Sequence, residues 1–207
     1  MEIYGMHKDM EAFGRLLPER QERIAKASAE PVRDDPMNAL ARRLHPERID
    51  LVITKIREET PSTRTFRLRP APGAQTELPV FRAGQYLSLK VPIGDSWITR
   101  PYAISSAPYE AGGADGFYEI AIRRKEGGFL TGRIWESWRA GTQITASGPH
   151  GTFYYEPLRD SPEIVALAGG SGITPIRSML REVAAGRLDA RITLLYGVDY
   201  NAILILS

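Results

Sequence analysis

The chain has 207 residues, of which 43% are apolar and 25% charged, a composition typical of a globular protein with one or two domains. Lys and Arg number 27 against 25 acidic residues, so the net charge of +2 gives no sign of nucleic-acid binding. The sequence contains no cysteine, which excludes disulfides, a cysteine nucleophile and an iron–sulfur cluster held by thiolates of this chain.

The sequence gives no sign of a membrane span or a metal site. No apolar run approaches the roughly 18 residues that a spanning helix needs. Residues 1–10 carry acidic and polar side chains in place of the apolar core of a signal peptide. His7, His45 and His150 lie far apart and lack the spacing of metal ligands. We therefore expect a cytoplasmic protein.

Residues 1–48 form a charged segment that differs from the rest of the chain. Its apolar residues recur at helical spacing, which predicts two or three short amphipathic helices. Prolines at positions 18, 31, 36 and 46 are expected to separate these helices. They would pack outside the core or on a partner, and a disordered tail is the alternative. The apolar residues concerned are Phe13, Leu16, Leu17, Met37, Leu40 and Leu44.

From Ile49 the apolar residues recur at every second position, as in half-buried strands. Short strands separated by Pro/Gly turns predict an antiparallel barrel or sandwich over residues 49–157. One helix is predicted at Leu130–Trp138, after the Gly127-Gly128 turn. The predicted strands cover residues 49–54, 65–68, 86–91, 98–105, 117–123 and 143–146.

Residues 158–207 read as the start of a doubly wound α/β domain. The apolar run Ile164–Ala168 predicts a strand buried on both faces, and Arg191–Tyr196 predicts a second strand. A helix from Pro175 to about Ala185 lies between them, and Ala202–Leu206 is a candidate third strand. A complete domain of this type needs about 100 residues or more, so we expect a partial domain. Truncation and completion by another subunit are the two explanations.

The segment Arg100–Ser106 offers a cation, an aromatic ring and hydroxyls. Arg100 and Tyr102 alternate along a predicted strand and therefore share a face. A flavin needs a flat neighbour for its ring and a cation for its phosphate, and these two residues meet both needs. The alternative is an ordinary strand with the arginine in solvent and the tyrosine in the core.

Gly127-Gly128 opens a predicted helix that also carries Thr131. Glycines let the backbone approach a phosphate, helix N–H groups point at it, and the threonine hydroxyl can add a hydrogen bond. A hairpin turn followed by a threonine N-cap is the alternative.

The turn Gly169–Pro175 lies between a predicted strand and a helix, which is the context that a phosphate-binding turn requires. A glycine-rich packing turn is the alternative. Two nucleotide sites in this order indicate a protein that passes electrons from a nicotinamide to a flavin. The cofactors carry that chemistry, so we predict no catalytic acid or base.

This ordered set of motifs resembles the ferredoxin–NADP reductase superfamily, and more narrowly the reductase components of iron–sulfur systems, over residues 49–207. In that family an Arg-x-Tyr-Ser signature binds flavin, and Arg100 and Tyr102 match it. Ala103 replaces the Ser or Thr that bonds flavin N5. Gly127, Gly128 and Thr131 match the pyrophosphate turn. Residues 169–175 match the nicotinamide turn, with Thr174 expected beside the nicotinamide.

The family reads the ribose of the second nucleotide just after the stretch that here is Tyr196-Gly197. Asp199 would accept a hydrogen bond from a free 2′-hydroxyl and repel a 2′-phosphate, which favours NADH over NADPH. A solvent-facing turn aspartate is the alternative, and the sequence leaves both open.

The resemblance implies FAD rather than FMN, NADH or NADPH as the donor, and an iron–sulfur protein or domain as the acceptor. A flavin-binding subunit without turnover and a truncated fragment that needs a partner are the alternatives. The implied domains are a helical extension (1–48), an FAD-binding barrel (49–157) and a partial NAD(P)-binding domain (158–207). The implied cofactor-binding residues are Arg100, Pro101, Tyr102, Ala103, Ser105, Ile122, Gly127, Gly128, Phe129, Leu130, Thr131, Gly169, Gly170, Ser171, Gly172, Thr174, Pro175 and Asp199.

Overall fold

The computed structural model describes residues 6–27, 35–74, 77–198 and 202–206. The chain divides into two compact units, residues 1–38 and 39–207. Helices α1 (Met6–Lys26) and α2 (Pro36–Leu44) precede the strands, in agreement with the predicted helical extension. In the described ranges no helix has both the length and the apolar character that crossing a bilayer requires.

Pro18 does not end a helix, and that prediction was wrong. Helix α1 continues through this proline. A proline removes one backbone donor, and the turns on either side keep their own hydrogen bonds.

Two of the apolar residues that predicted these helices lie at the surface. The side chains of Leu16 in α1 and Met37 in α2 are 58% and 69% exposed.

Six antiparallel strands form one sheet in the spatial order β4-β3-β6-β1-β2-β5. Its end strands meet where Ile104 bridges to Ile120 and the Ser105 amide donates to the Glu119 carbonyl at 2.7 Å. The sheet therefore closes into the predicted barrel. The strands are β1 (Ile49–Thr60), β2 (Thr63–Pro70), β3 (Tyr86–Ile93), β4 (Ser96–Ala103), β5 (Tyr118–Arg123) and β6 (Gln143–His150).

Alternate residues of these strands fill the barrel interior. Ile49, Leu51 and Ile53 of β1 are fully buried, as the period-two pattern predicts. Helix α3 (Phe129–Ser137) packs on the barrel through its buried Trp135. The ring of Phe66 meets that indole edge to face, with 6.4 Å between centroids.

A second sheet follows the barrel. Strand β7 (Glu163–Gly169) is parallel to β8 (Arg191–Val198), and β9 (Ala202–Leu206) pairs antiparallel to β8. A short 3-10 turn at Gly170–Gly172 leads into helix α4 (Ile173–Ala184), which begins two residues before the predicted start. The predicted βαβ unit is thus confirmed.

Helix α4 covers one face of this sheet. Its Ile176 and Met179 pack with Ala166 in a small apolar cluster. On β7, Val165 and Leu167 are 69% and 77% exposed. The prediction that this strand is buried on both faces was therefore wrong, because in the described part of the chain the second face is open to solvent.

Candidate functional site

A cleft of about 860 Å³ lies where the barrel meets the start of α4. The barrel contributes the β1–β2 hairpin over residues 57–65, the end of β5 with Ala121 and Arg123, and Ser105 after β4. The second sheet contributes residues of the turn and first helical residues within 170–177, together with Tyr196. The volume lies in the range of small-molecule and cofactor sites.

The residues that line the cleft include three arginines, Arg57, Arg123 and Arg177, and the carboxylate of Glu59. Burial alone would raise the pKa of Glu59, but hydrogen bonds from Arg57 and the Thr65 hydroxyl hold it below its ordinary value. The carboxylate is therefore ionised at neutral pH and pairs with Arg57 at 2.6 Å.

The glycine turn leaves its backbone open to a ligand. Gly170 adopts a left-handed φ of +51°, which favours glycine. No atom lies within 4 Å of the position that a Cβ would take at Gly169 or Gly172. Helix α4 has no side-chain cap on its first N–H groups, and the Tyr196 hydroxyl donates to the Gly170 carbonyl at 2.9 Å. This arrangement suits a phosphate at a helix N-terminus.

Thr174 is 4% exposed and lines the cleft with Gly170, Ser171 and Ser105. Its hydroxyl donates to the Ser171 carbonyl at 2.6 Å, so its oxygen can still accept. Four of the predicted cofactor-binding residues thus meet in this cleft. Pro175 is half-buried in the first turn of α4, beside Thr174.

Residues Arg100–Ala103 lie on β4, outside the residues that line the cleft. Arg100 is exposed, and within the described ranges its guanidinium donates only to the neighbouring Thr99 carbonyl, at 2.8 Å. Tyr102 is half-buried and packs against the barrel core. Burial raises the pKa of the Tyr102 hydroxyl, and the charge of Arg100 opposes that shift. The phenol is therefore neutral at physiological pH, beside an accessible cation.

The second glycine turn opens α3. Gly127 has a φ of +65° and open space where a Cβ would lie. Gly128 is the N-cap and offers no side-chain hydrogen bond to the helix. The Thr131 hydroxyl accepts the Lys125 amide at 3.0 Å, which orders the turn and leaves its proton able to donate.

Three further predicted residues differ in exposure. Phe129 is 70% exposed and Leu130 is partly buried against the core. Ile122 is 1% exposed inside the barrel, so only its backbone can meet a cofactor. Asp199 lies outside the described residues.

The described ranges contain no group of three His, Asp or Glu side chains that could hold a metal ion.

These two turns fit two nucleotides. The uncapped α3 with its open Gly127 offers backbone donors for a phosphate, and β4 carries an exposed guanidinium and a half-buried phenol, so the barrel supplies the donors and the flat surface that FAD requires. The uncapped α4 with Gly172 opens beside a cleft large enough for a nicotinamide dinucleotide.

Sequence reasoning missed the buried carboxylate of Glu119, which is 2% exposed. Arg67 donates to one of its oxygens at 2.9 Å, and Arg177 approaches the other at 3.3 Å. Burial alone would raise the pKa of Glu119, but these hydrogen bonds and charges hold it below its ordinary value. Alternation with Ile120 and Ile122 placed Glu119 on the outer face of β5, but no motif linked it to arginines more than 50 residues away.

We expect Glu119→Gln to destabilise the protein at neutral pH by about 3 kcal/mol, the low end for breaking a buried ion pair, because both arginines are about a third exposed. The folded pKa lies below the ordinary 4.5, so this stability is complete above that pH and is lost as the pH falls through the folded pKa. Urea unfolding of both proteins from pH 7 to pH 3 tests this. Parallel curves, rather than convergence in acid, would contradict it.

Comparison with known proteins agrees with this geometry. Residues 50–155 match the family model of the oxidoreductase FAD-binding domain, and residues 166–207 match that of the oxidoreductase NAD-binding domain. Ferredoxin–NADP reductase B of Sorangium cellulosum is 30% identical over 151 residues, 72% of this chain and 57% of that protein. The toluate 1,2-dioxygenase electron transfer component of Pseudomonas putida is 30% identical over 149 residues, 72% of this chain and 41% of that protein.

A solved structure of phthalate dioxygenase reductase aligns with a TM-score of 0.63 at 27% identity, over 73% of this chain and 44% of that one. The chain therefore spans only about two fifths to three fifths of the length of these relatives. The FAD-binding match covers half of the chain, and the NAD-binding match follows it in the sequence. The chain belongs to the ferredoxin–NADP reductase superfamily of flavin-dependent oxidoreductases.

Proposed function

We propose that this chain passes electrons from NADH or NADPH, through FAD, to an iron–sulfur or other electron-carrier partner. The observation that carries the proposal is the cleft that Ser105, at the end of the Arg100–Ala103 strand, shares with Thr174 of the glycine turn. Reductases of this kind need a flavin and a nicotinamide side by side. When bound, FAD accepts a hydride from the nicotinamide and releases electrons singly.

On the barrel, we assign Arg100 to the flavin phosphate and Tyr102 to the flavin ring. The open backbone at Gly127-Gly128 and the Thr131 hydroxyl complete the pyrophosphate site. Pro101, Ala103, Ser105, Phe129, Leu130 and the backbone of Ile122 line the remaining flavin surface.

On the second sheet, the backbone of Gly169–Gly172 binds the pyrophosphate of the donor nucleotide, and Thr174 and Pro175 border the nicotinamide. The uncapped start of α4 and the open space beside Gly169 and Gly172 support this assignment. Asp199 is assigned to the ribose of that nucleotide, where its carboxylate would accept a hydrogen bond from a free 2′-hydroxyl and repel a 2′-phosphate. The side chains thus bind and orient the two nucleotides and exclude water between them, and none acts as an acid or base.

The relatives favour an iron–sulfur acceptor. One is the electron transfer component of a dioxygenase, and the phthalate dioxygenase reductase is described as transferring electrons from pyridine nucleotides to a 2Fe–2S centre. We extend that partner class to this chain, place the chain in the cytoplasm, and assign residues 1–48, 49–157 and 158–207 to its extension, flavin domain and partial nucleotide domain.

A flavin-carrying subunit without turnover of its own is the second candidate. Two observations favour it: Ala103 stands where the family has a hydroxyl, and Val165 and Leu167 leave one face of the nucleotide sheet exposed. Such a subunit would bind FAD and wait for a partner to complete the second domain.

Anaerobic titration of the FAD-loaded chain with NADH distinguishes the two candidates. We expect the main flavin absorbance band to bleach at stoichiometric NADH, because the cleft brings the glycine turn and the barrel together. A parallel titration with NADPH shows which of the two nucleotides reduces the flavin at the lower concentration. A yellow protein that both donors leave oxidised would contradict the reductase and support the subunit.

A further inference from the structure

We propose that Arg177 is a positioning residue that holds the glycine turn of α4 in register with the end of the flavin strand. The inference rests on the proposed function, since it concerns the distance between the two nucleotide sites. It assigns a role to a residue outside the motifs that bind either nucleotide.

Arg177 joins the two halves of the cleft through one guanidinium. Its Nη1 donates to the Ser105 carbonyl at 2.8 Å and approaches Glu119 Oε2 at 3.3 Å. Ser105 lies two residues after the end of the strand that carries Tyr102, and Arg177 lies three residues after Thr174 in α4. The guanidinium therefore ties the turn that faces the nicotinamide to the strand that faces the flavin.

Glu119 is a fixed acceptor for this contact. Arg67 donates to Glu119 Oε1 through two nitrogens, at 2.9 and 3.1 Å, from the opposite side. The carboxylate is buried, and the hydrogen bonds from Arg67 to its ionised form fix its orientation independently of Arg177. Arg177 thus meets a rigid acceptor rather than a mobile surface side chain.

Two further hydrogen bonds fix the position of α4 along the barrel. The Ser178 hydroxyl donates to the Ser106 carbonyl at 2.6 Å, and both residues are buried. Arg181 donates to Glu110 at 2.6 Å from the next turn of the helix. Hydrogen bonds weaken steeply with distance and angle, so a shift of α4 along the barrel breaks them together. Apolar packing alone would tolerate such a slide.

The shape of arginine matters at this position. Its planar guanidinium presents several donors in a fixed geometry and so serves Ser105 and Glu119 at once. A lysine ammonium is a point charge on a flexible stem, and it satisfies Glu119 without fixing both partners. Lysine should therefore restore the position of α4 only in part.

A distance measurement tests the positioning without any nucleotide. The chain has no cysteine of its own, so spin labels can be placed at Lys90→Cys and Asp189→Cys, two exposed positions. Lys90 lies on β3 of the barrel and Asp189 in the loop between α4 and β8, so the pair reports the spacing between the barrel and the second sheet. We expect Arg177→Gln to broaden the distribution of distances about twofold, and Arg177→Lys to give an intermediate width. Arg191→Gln, which removes an exposed pair with Glu163, is the matched control and should leave the width unchanged.

Stopped-flow reduction by NADH measures the consequence for the reaction. Because a displacement of about 1 Å can cost about 100-fold in rate, we expect Arg177→Gln to lower the limiting rate of flavin reduction about 10- to 100-fold. The Kd for NADH should change less than threefold, since Arg177 is assigned to distance rather than to binding. Arg177→Lys should recover part of the rate.

The outcomes separate this inference from the proposed function. If neither NADH nor NADPH reduces the unsubstituted chain, the proposed function fails, and an unchanged distance distribution in Arg177→Gln would then overturn the positioning role as well. If the unsubstituted chain is reduced, a limiting rate in Arg177→Gln equal to that of the parent overturns the inference alone.

Discussion

Replacing Gly172 with Glu should raise the NADH concentration for half-maximal flavin reduction about 100-fold. The position has an ordinary helical φ of −64° and open space for a side chain, so the fold tolerates the change. A carboxylate there lies at the uncapped start of α4, where we place the nucleotide pyrophosphate. Two like charges about 4 Å apart repel by about 4 kcal/mol at an effective dielectric constant near 20, and solvent screening lowers this to about 2.7 kcal/mol, or 100-fold.

Gly172→Gln is the matched control for this substitution. It adds a side chain of nearly the same size without the charge, so it should raise the half-maximal concentration by about tenfold or less. Flavin content and the melting temperature should match those of the parent in both variants. Equal effects of Glu and Gln would mean that bulk rather than charge opposes the nucleotide, and unchanged titrations in both would remove the pyrophosphate from this turn.

Replacing Arg100 with Ala should weaken FAD binding about 10- to 100-fold. A hydrogen bond to a charged group contributes about 1.5–3 kcal/mol, and we assign this guanidinium to the flavin phosphate. In the described part of the chain its guanidinium hydrogen-bonds only to the adjacent Thr99 carbonyl, so the barrel should keep its stability within about 0.5 kcal/mol. Quenching of flavin fluorescence on titration of the apoprotein measures the dissociation constant.

Lys90→Ala provides the control for Arg100. Lys90 is an exposed cation on β3, paired with Thr99, the neighbour of Arg100. It removes the same charge from the same sheet without touching the proposed phosphate site, and FAD affinity should stay within about twofold. If both variants bind FAD like the parent, Arg100 has no part in the flavin site. If both weaken it equally, the effect is the net charge of the barrel rather than a specific contact.

The barrel could be predicted from the sequence because its core follows a local pattern. Ile49, Leu51 and Ile53 alternate, and all three are buried. Helix–strand alternation likewise predicted the βαβ unit. The full length of β1, which reaches Thr60, could not be predicted, because its last residues pair with β2 through backbone bonds while their side chains are mostly exposed and polar.

The candidate site likewise has one part with a local sequence signature and one part without. The glycine turns at 127–128 and 169–172 have a sequence signature, because Gly127 and Gly170 adopt left-handed φ values that favour glycine. The other wall of the cleft is the hairpin 57–65, whose threonines and charges resemble any solvent-facing turn. Likewise, nothing local connects Arg177 to Glu119, since their contact exists only once the barrel has closed. Sequence therefore indicates the ligand-facing backbone, and tertiary structure supplies the surrounding charges.

The position of Arg177 in α4 also bears on how this protein can be redesigned. Thr174 lines the cleft, and in the next turn of the same helix Arg177 and Ser178 hydrogen-bond to the barrel. Substitutions in this stretch that are meant to change the nucleotide donor would therefore also disturb the contact between α4 and the barrel. A library for altered nucleotide preference should therefore keep residues 174–178 constant.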